Sequence, residues 1–256
     1  VSETDRKTTA IAGYDAESIS VRGKDLVNEL MGHLSFSEMI AFQLLGTKPS
    51  PAQVKILDAV MVTIMEHGLV PSALVTRLTH AGAPESFQGA VAAGLLGVGE
   101  RYAGTASECA RLLDDIVAAT GAEREKTARR IVEEHRERKR PVPGFGHPVH
   151  RDGDPRSLKL IEIAEEAGAE GSYIAALRVL EAAVEDALGK RLPTNISAGI
   201  AAALGEAGIP AKAMRGIVLT ARCAGLAGHL VEEMDNPLAD DVWQSAQREA
   251  GYDPDR

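Results

Sequence analysis

Ser35-Phe-Ser-Glu-Met-Ile-Ala-Phe-Gln-Leu-Leu-Gly46, followed closely by Ser50-Pro-Ala-Gln-Val-Lys-Ile-Leu-Asp-Ala-Val-Met-Val-Thr-Ile64, decides the fold class. Each stretch opens on a capping box, a serine followed three residues later by Glu38 or Gln53. Such a pair answers two of the amide groups that a helix start leaves without partners. Behind the first box, Met39, Ile40, Phe42, Leu44 and Leu45 lead to Gly46, a helix-ending residue. Behind the second, Pro51 occupies the first helical position, and Val54, Leu57, Val60, Met61 and Ile64 recur at helical spacing before Gly68. Two helices in succession are predicted.

Helical patterns continue along the chain. Pro71 permits another start carrying Leu74, Val75 and Leu78, and the small residues of Gln88 to Leu96 suggest a buried central helix. Ser107 to Ala119 and the highly charged Arg124 to Arg138 read as amphipathic helices. Further helices are expected after Pro155, with Leu158, Leu160, Ile161, Ile163 and Ala164 on the pattern, and from Tyr173 to Leu188. After the break Leu192-Pro-Thr-Asn195, Ser197 to Leu204 and Ala211 to Met234 complete the set, and the acidic run Asp235 to Asp241 reads as a solvated loop. No run of residues reads as a strand. Aromatic residues make up only 4% of the 256, so Ala, Leu, Val and Ile must build the core, as in closely packed helices. The expected class is all-α.

Charge and cysteine usage narrow the function. A net charge of −9 disfavours nucleic acid and anionic membranes as partners. No apolar stretch is long enough to span a bilayer, and the first residues, with Glu3, Asp5, Arg6 and Lys7, lack a signal pattern, so a cytoplasmic protein is expected. Cys109 and Cys223 lie far apart without metal spacing and read as buried thiols. His147 and His150 are three apart but have no third convergent ligand, so no metal is expected.

One basic cluster, Arg136, Arg138, Lys139 and Arg140, runs against the acidic balance and precedes Pro141-Val-Pro-Gly-Phe-Gly-His-Pro148. Gly144 and Gly146 let backbone approach a ligand, and His147 sits on a loop where it can polarise or protonate an oxygen. Asp154-Pro-Arg156 follows, setting a guanidinium at a helix start, where it can take a carboxylate. His147 is equally compatible with a loop histidine bonded to backbone. His67 could cap a helix end, and Arg222 and His229, seven apart on similar helix faces, could partner buried acids such as Glu232.

Gly144-Phe-Gly-His147 with Asp154-Pro-Arg156 resembles the signature of the citrate synthase superfamily. The likeness extends along the chain through Arg22-Gly23, Leu34 to Glu38 with Leu44-Leu-Gly46, Glu66-His-Gly68, Ser72 to Leu78, and Ala221-Arg-Cys-Ala-Gly225 with His229 and Glu232. It implies a two-domain helical fold, with 1–107 and 213–256 as a discontinuous large domain and 108–212 as a small domain carrying the His147 loop. It implies that His147 contacts the oxygen at the reacting carbon, and that Arg156 and Arg222 bind substrate carboxylates beside His67. Coenzyme A is implied as part of the substrate or product, with its adenine near backbone of Gly144, Phe145 and Gly146 and its phosphates near Arg140, Arg151 or Lys159. A homodimer or higher homo-oligomer is implied as well.

Two departures sharpen the resemblance. Where the synthases carry a catalytic histidine in Gly-Pro-x-His-Gly-Gly-Ala, this chain has Gly99-Glu-Arg-Tyr-Ala-Gly104, similar to the Gly-Asp-Arg-Phe-Gly-Gly of the citryl-CoA lyase module of ATP-citrate lyase. Where the family has an aspartate that exchanges a proton with the thioester α-carbon, this chain has Asn195-Ile-Ser197. Serine is a poor unaided base, so Ser197 marks a site position at which the chemistry differs. The expected activity is cleavage of citryl-CoA or a related 3-hydroxyacyl-CoA to a keto acid and an acyl-CoA. Condensation in the citrate synthase sense, or a CoA-binding accessory subunit with reduced catalysis, are the alternatives.

Overall fold

The computed structural model describes residues 7–100, 104–146 and 153–254. Among these, a small β-ribbon precedes eleven α-helices. The fold is all-α in class, as the helical patterns and the low aromatic content predict.

The ribbon corrects the expectation that no strand forms. Strands β1 (Ala12–Tyr14), β2 (Ile19–Val21) and β3 (Lys24–Asp25) pair antiparallel, with Ala12 opposite Val21 and Val21 opposite Lys24. Strands of two or three residues are too short for a period-two pattern to register in sequence. Local turn chemistry makes them. The Asp15 carboxylate accepts the amides of Glu17 at 2.9 Å and Ser18 at 2.8 Å, and buried Val21 packs with Leu30 and Phe42.

Helix α1 (Phe36–Leu45) starts on its capping box: Ser35 accepts the Glu38 amide at 3.2 Å, and Glu38 accepts the Ser35 amide at 2.7 Å. Ser50 and Gln53 repeat the arrangement at α2 (Pro51–Met65). Helices α3 (Pro71–Gly82) and α4 (Phe87–Leu96) form a hairpin. Then come α5 (Thr105–Ala118), α6 (Glu123–Glu137), α7 (Pro155–Glu166), α8 (Ser172–Leu188), α9 (Ile196–Glu206), α10 (Ala211–Asp235) and α11 (Ala239–Glu249). The acidic run 235–241 is not a loop throughout, because Ala239 starts α11, with Asp240 and Asp241 favourably placed in its first turn.

The buried central helix is α9, not α4. In α9 every residue from Ala198 to Gly205 is buried, and α2, α5, α7, α8 and α10 all pack on it. Its alanines let backbones approach where bulkier side chains would hold them apart. In α4 only Ala90 and Gly94 are buried, and Leu96 is 87% exposed. Both helices are rich in small apolar residues, so composition alone does not distinguish them. One apolar core runs from Ile56 and Leu57 in α2 through Leu113, Leu177 and Ile200 to Met214 in α10.

Elements far apart in sequence also complete one another's ends. Helix α8 starts without a local cap, and its amides at Tyr173 and Ile174 are accepted by Glu206, the last residue of α9, at 2.7 and 2.9 Å. Gln53 reaches from α2 to the Ala207 carbonyl at 2.9 Å. No helix among the described residues is long and apolar enough to cross a membrane. Enlarging the centre of α9 by Ala202→Leu is expected to destabilise the protein by about 1–3 kcal/mol, read from the urea unfolding midpoint. An unchanged midpoint would remove α9 from the centre of the core.

Candidate functional site

The first turns of four helices line one cavity of about 360 Å³. Ser72 comes from α3, Thr105 from α5, Arg156 from α7 and Ser197 from α9, while Arg222 enters from the middle of α10 and His67 from the turn after α2. The first turns of α3, α7 and α9 carry the partial positive charge of their helices, whereas Gly104 before α5 already has helical backbone. Helix α3 has no side-chain cap at this end among the described residues. With two guanidinium groups added, the cavity is electropositive within a chain of net charge −9. No carboxylate lines it among the described residues.

The two arginines are held differently. Arg156 forks onto Asp154, with Nε donating at 3.0 Å and Nη2 at 2.7 Å to the two carboxylate oxygens. Asp154 is fully buried and also accepts the Arg156 amide at 3.0 Å, capping α7. That fork locks the guanidinium and leaves Nη1 toward His67, 3.4 Å from its Nδ1. Arg222 is 8% exposed, and its buried Nη1 has no hydrogen-bond partner among the described residues. Desolvation lowers its pKa, partly offset by the nearby Glu66 carboxylate. A buried donor without a partner is unfavourable until an acceptor arrives. A substrate carboxylate is such an acceptor.

His67 is held below the ordinary histidine pKa by partial burial and by the positive charges of Arg156 and Arg222. It is therefore neutral at pH 7. Ser197 and Thr105 share a hydrogen bond at 2.7 Å between their hydroxyls. The Ser197 amide donates to the Asn195 side chain at 3.0 Å, the cap of α9. Asn195 in turn donates from its side chain to the Gly146 carbonyl at 3.1 Å and from its amide to the Gly144 carbonyl at 2.9 Å. The Gly146 amide donates to Pro193 at 2.8 Å, and Phe145 bridges Thr194. Segment 144–146 is thus stitched to 193–195, which fixes where the chain enters residue 147.

His67, Arg156, Ser197, Arg222 and Gly146 are brought together by the fold. Gly144 is buried behind them: its φ of 91° suits glycine, and a Cβ there would lie 2.8 Å from Cys109 Sγ. Phe145 is 7% exposed with its side chain in the core, so backbone is the part it offers to a ligand. His147, Arg151, His150 and Tyr102 lie outside the described residues. A neighbouring depression shares Thr105 with the cavity and adds Arg111, His135 and Arg140. Lys159 instead pairs with Glu162 at 2.6 Å on the exposed side of α7. Burial of Cys109 pushes its thiol up to about 12, outside the range of thiolate chemistry at neutral pH, whereas Cys223 is half-buried.

Several contacts were not legible in sequence. Thr105 has no motif of its own, and only tertiary packing sets it beside Ser197. The acids of α10 partner neither Arg222 nor His229: Arg77 takes Glu232 and Glu233, while His229 lies between Arg77 and Glu66. The His67 environment yields a direct check. Its pKa depression makes the folded protein resist protonation, so its contribution to stability is complete above the unfolded value near 6.5 and is lost as pH falls through the lower folded value. Titration by NMR should place the His67 midpoint below 6.5, and Arg222→Gln should move it upward. A midpoint at or above 6.5 would show that the arginine charges do not reach it.

The fold has known counterparts. The chain matches the family described as citrate synthase, C-terminal domain, over residues 6–241. It is similar to citryl-CoA lyase from Hydrogenobacter thermophilus, with a TM-score of 0.87 and 27% identity over 98% of this chain and 95% of that one. ATP citrate lyase from Methanosaeta concilii, solved with (3S)-citryl-CoA, shares the fold at a TM-score of 0.76 and 18% identity, covering 99% of this chain and 43% of that one. By sequence, putative citrate synthase 2 of Mycobacterium tuberculosis is 30% identical over 73% of this chain and 49% of that protein. The chain spans about half the length of such sequence relatives. From the family match over most of its length and the helical architecture around the cavity, the chain belongs to the citrate synthase family.

Proposed function

We propose that the protein is a CoA-thioester carbon–carbon lyase that cleaves citryl-CoA, or a related 3-hydroxyacyl-CoA, to a keto acid and an acyl-CoA. The observation that carries the reading is the buried, unpartnered Nη1 of Arg222, in a cavity that also holds Arg156 and neutral His67 and has no lining carboxylate among the described residues. That donor set suits an acid with several carboxylates. The near end-to-end correspondence with citryl-CoA lyase of Hydrogenobacter thermophilus favours cleavage over condensation.

In this reading the acid half sits between Arg156 and Arg222 beside His67. His147 contacts the oxygen at the carbon whose bond breaks. Cleavage requires the substrate hydroxyl to lose its proton, the carbon–carbon bond to break, and the thioester α-carbon to take up a proton. Ser197, braced by Thr105, faces the position where that last transfer is needed. CoA extends from Thr105 along the depression of Arg111, His135 and Arg140, where the two arginines, beside Glu108, match its phosphates; Gly144, Phe145 and Gly146 contribute backbone, and Arg151 belongs to the same loop. Residues 108–212 act as the small domain and close on 1–107 with 213–256, excluding water from the acid.

A homodimer completes the proposal. Helix α4 contains no charge and leaves Gln88, Ala92 and Leu96 exposed along one stripe, a surface suited to a second copy. Sedimentation should therefore report a dimer that Leu96→Asp weakens; a monomeric wild-type protein would remove this part.

Activity is tested with citryl-CoA, malyl-CoA and citramalyl-CoA, following release of keto acid. Citryl-CoA should be cleaved. Arg222→Gln should lower kcat/KM by about ten- to a hundred-fold, the worth of one or two charge-assisted hydrogen bonds, and His147→Ala should abolish turnover. Release that survives His147→Ala overturns the mechanism. CoA binding without turnover of any thioester would instead favour an accessory subunit, the reading that Ser197 in place of a carboxylate supports.

A further inference from the structure

Outside the cavity, polar and charged side chains from α3, α10 and the turn after α2 form one hydrogen-bonded chain that ends on the His67 backbone. It is anchored on Arg77 of α3, a fully buried guanidinium, 1% exposed. Its Nη1 donates to Glu233 at 2.6 Å, its Nη2 donates to Glu232, and its Nε donates to His229 Nδ1 at 3.1 Å. Glu233 also accepts the amides of Leu238 and Ala239 at 2.9 and 2.8 Å, which ties the start of α11 to the same cluster.

The chemistry of arginine fixes the tautomer of His229. A guanidinium has no acceptor, so His229 Nδ1 must accept and its proton must reside on Nε2. That nitrogen lies 3.0 Å from Glu66 Oε1. The same carboxylate oxygen accepts the amides of His67 and Gly68, each at 2.7 Å. Partial burial raises the Glu66 pKa, but hydrogen bonds from His229 and from those amides outweigh it and keep the carboxylate ionised. Close approach of the backbones makes this geometry available: a Cβ on Gly225 of α10 would stand 2.2 Å from the Met65 carbonyl, at the end of α2.

We infer that Glu66 and His229 are positioning residues, which hold the His67 turn so that its imidazole meets the acid beside Arg156 and Arg222. The inference rests on the proposed reading of the cavity as an acid subsite. A purely structural role would tie α3, α10 and α11 together without affecting the ligand. Glu66 is well placed to separate the two roles, because it lies at the site end of the chain and its side chain is about half exposed.

The test compares Glu66→Ala, which removes the acceptor, with Glu66→Gln, which retains an oxygen for the two amides and for His229 Nε2. Three readouts are taken on the whole chain: melting temperature, affinity for citrate and for free CoA, and the NMR signals of the histidine rings. The expected result is citrate affinity weakened tenfold or more by Glu66→Ala, with most of it recovered in Glu66→Gln and CoA affinity within twofold of wild type in both. In the wild-type protein His229 should show the Nε2–H tautomer, and Glu66→Ala should displace the His67 ring signals. Wild-type binding of citrate that Glu66→Ala leaves unchanged overturns this inference alone. So does equal loss of citrate and CoA binding with a lowered melting temperature. Failure of the wild-type protein to bind citrate overturns the acid-subsite reading together with the inference built on it.

Discussion

Close packing around α9 is the constraint on which the rest of the structure depends. The helix buried from Ala198 to Gly205 is closely surrounded because six of those eight residues are Ala or Gly, with Ile200 and Leu204 filling the remaining space. Burial then fixes its axis, and with it the position of its first turn. Asn195 and Ser197 stand at that turn, so the same packing that stabilises the core delivers the α9 N-terminus to the cavity. Asn195 also secures segment 144–146 through both its amide and its side chain. A shift of α9 would therefore move Ser197 and the approach to His147 together.

The cavity concentrates positive charge inside an acidic protein. Its helix N-termini contribute partial charges that carry no side-chain entropy, and the guanidinium groups of Arg156 and Arg222 add full ones. The two arginines divide the work. Arg156 is rigid because buried Asp154 grips it from below, whereas Arg222 keeps a donor in reserve. Partial burial and the nearby cations hold His67 below the ordinary histidine pKa, and an anionic ligand that screens those cations would raise its affinity for a proton.

The buried ion pair of Arg77 and Glu233, joined by the exposed Glu232, lies behind this surface. Removing one partner from such a cluster leaves an uncompensated charge and is strongly destabilising, although the intact cluster is weak evidence for stability. Its value here is geometric. A guanidinium with donors in a fixed plane sets the His229 ring, and the ring sets Glu66 against the His67 turn.

Much of the architecture is written locally. The Ser35 and Ser50 boxes, Pro51, Pro71 and Pro155 at first helical positions, and the apolar spacing of α2, α7, α8 and α10 are effects within a few residues. A one-dimensional reading recovers them for that reason. His67, Arg156, Ser197 and Arg222 were also legible, through resemblance to a family signature, and the fold gathers them into one cavity. Other features depend on distance. The strands near the N-terminus are too short to leave a pattern, and α11 follows an acidic segment that resembles a loop. Burial of α9 rather than α4 turns on neighbours, since both helices are built from small apolar residues. Glu206 capping α8, Thr105 meeting Ser197, and Glu66 joining His229 are contacts between residues 32 to 163 positions apart. Sequence by itself determined most of the helices and the types of chemical group available to the site. Tertiary structure alone decided which helix lies at the centre and which charge meets which, because burial and pairing are properties of surroundings that distant parts of the chain supply.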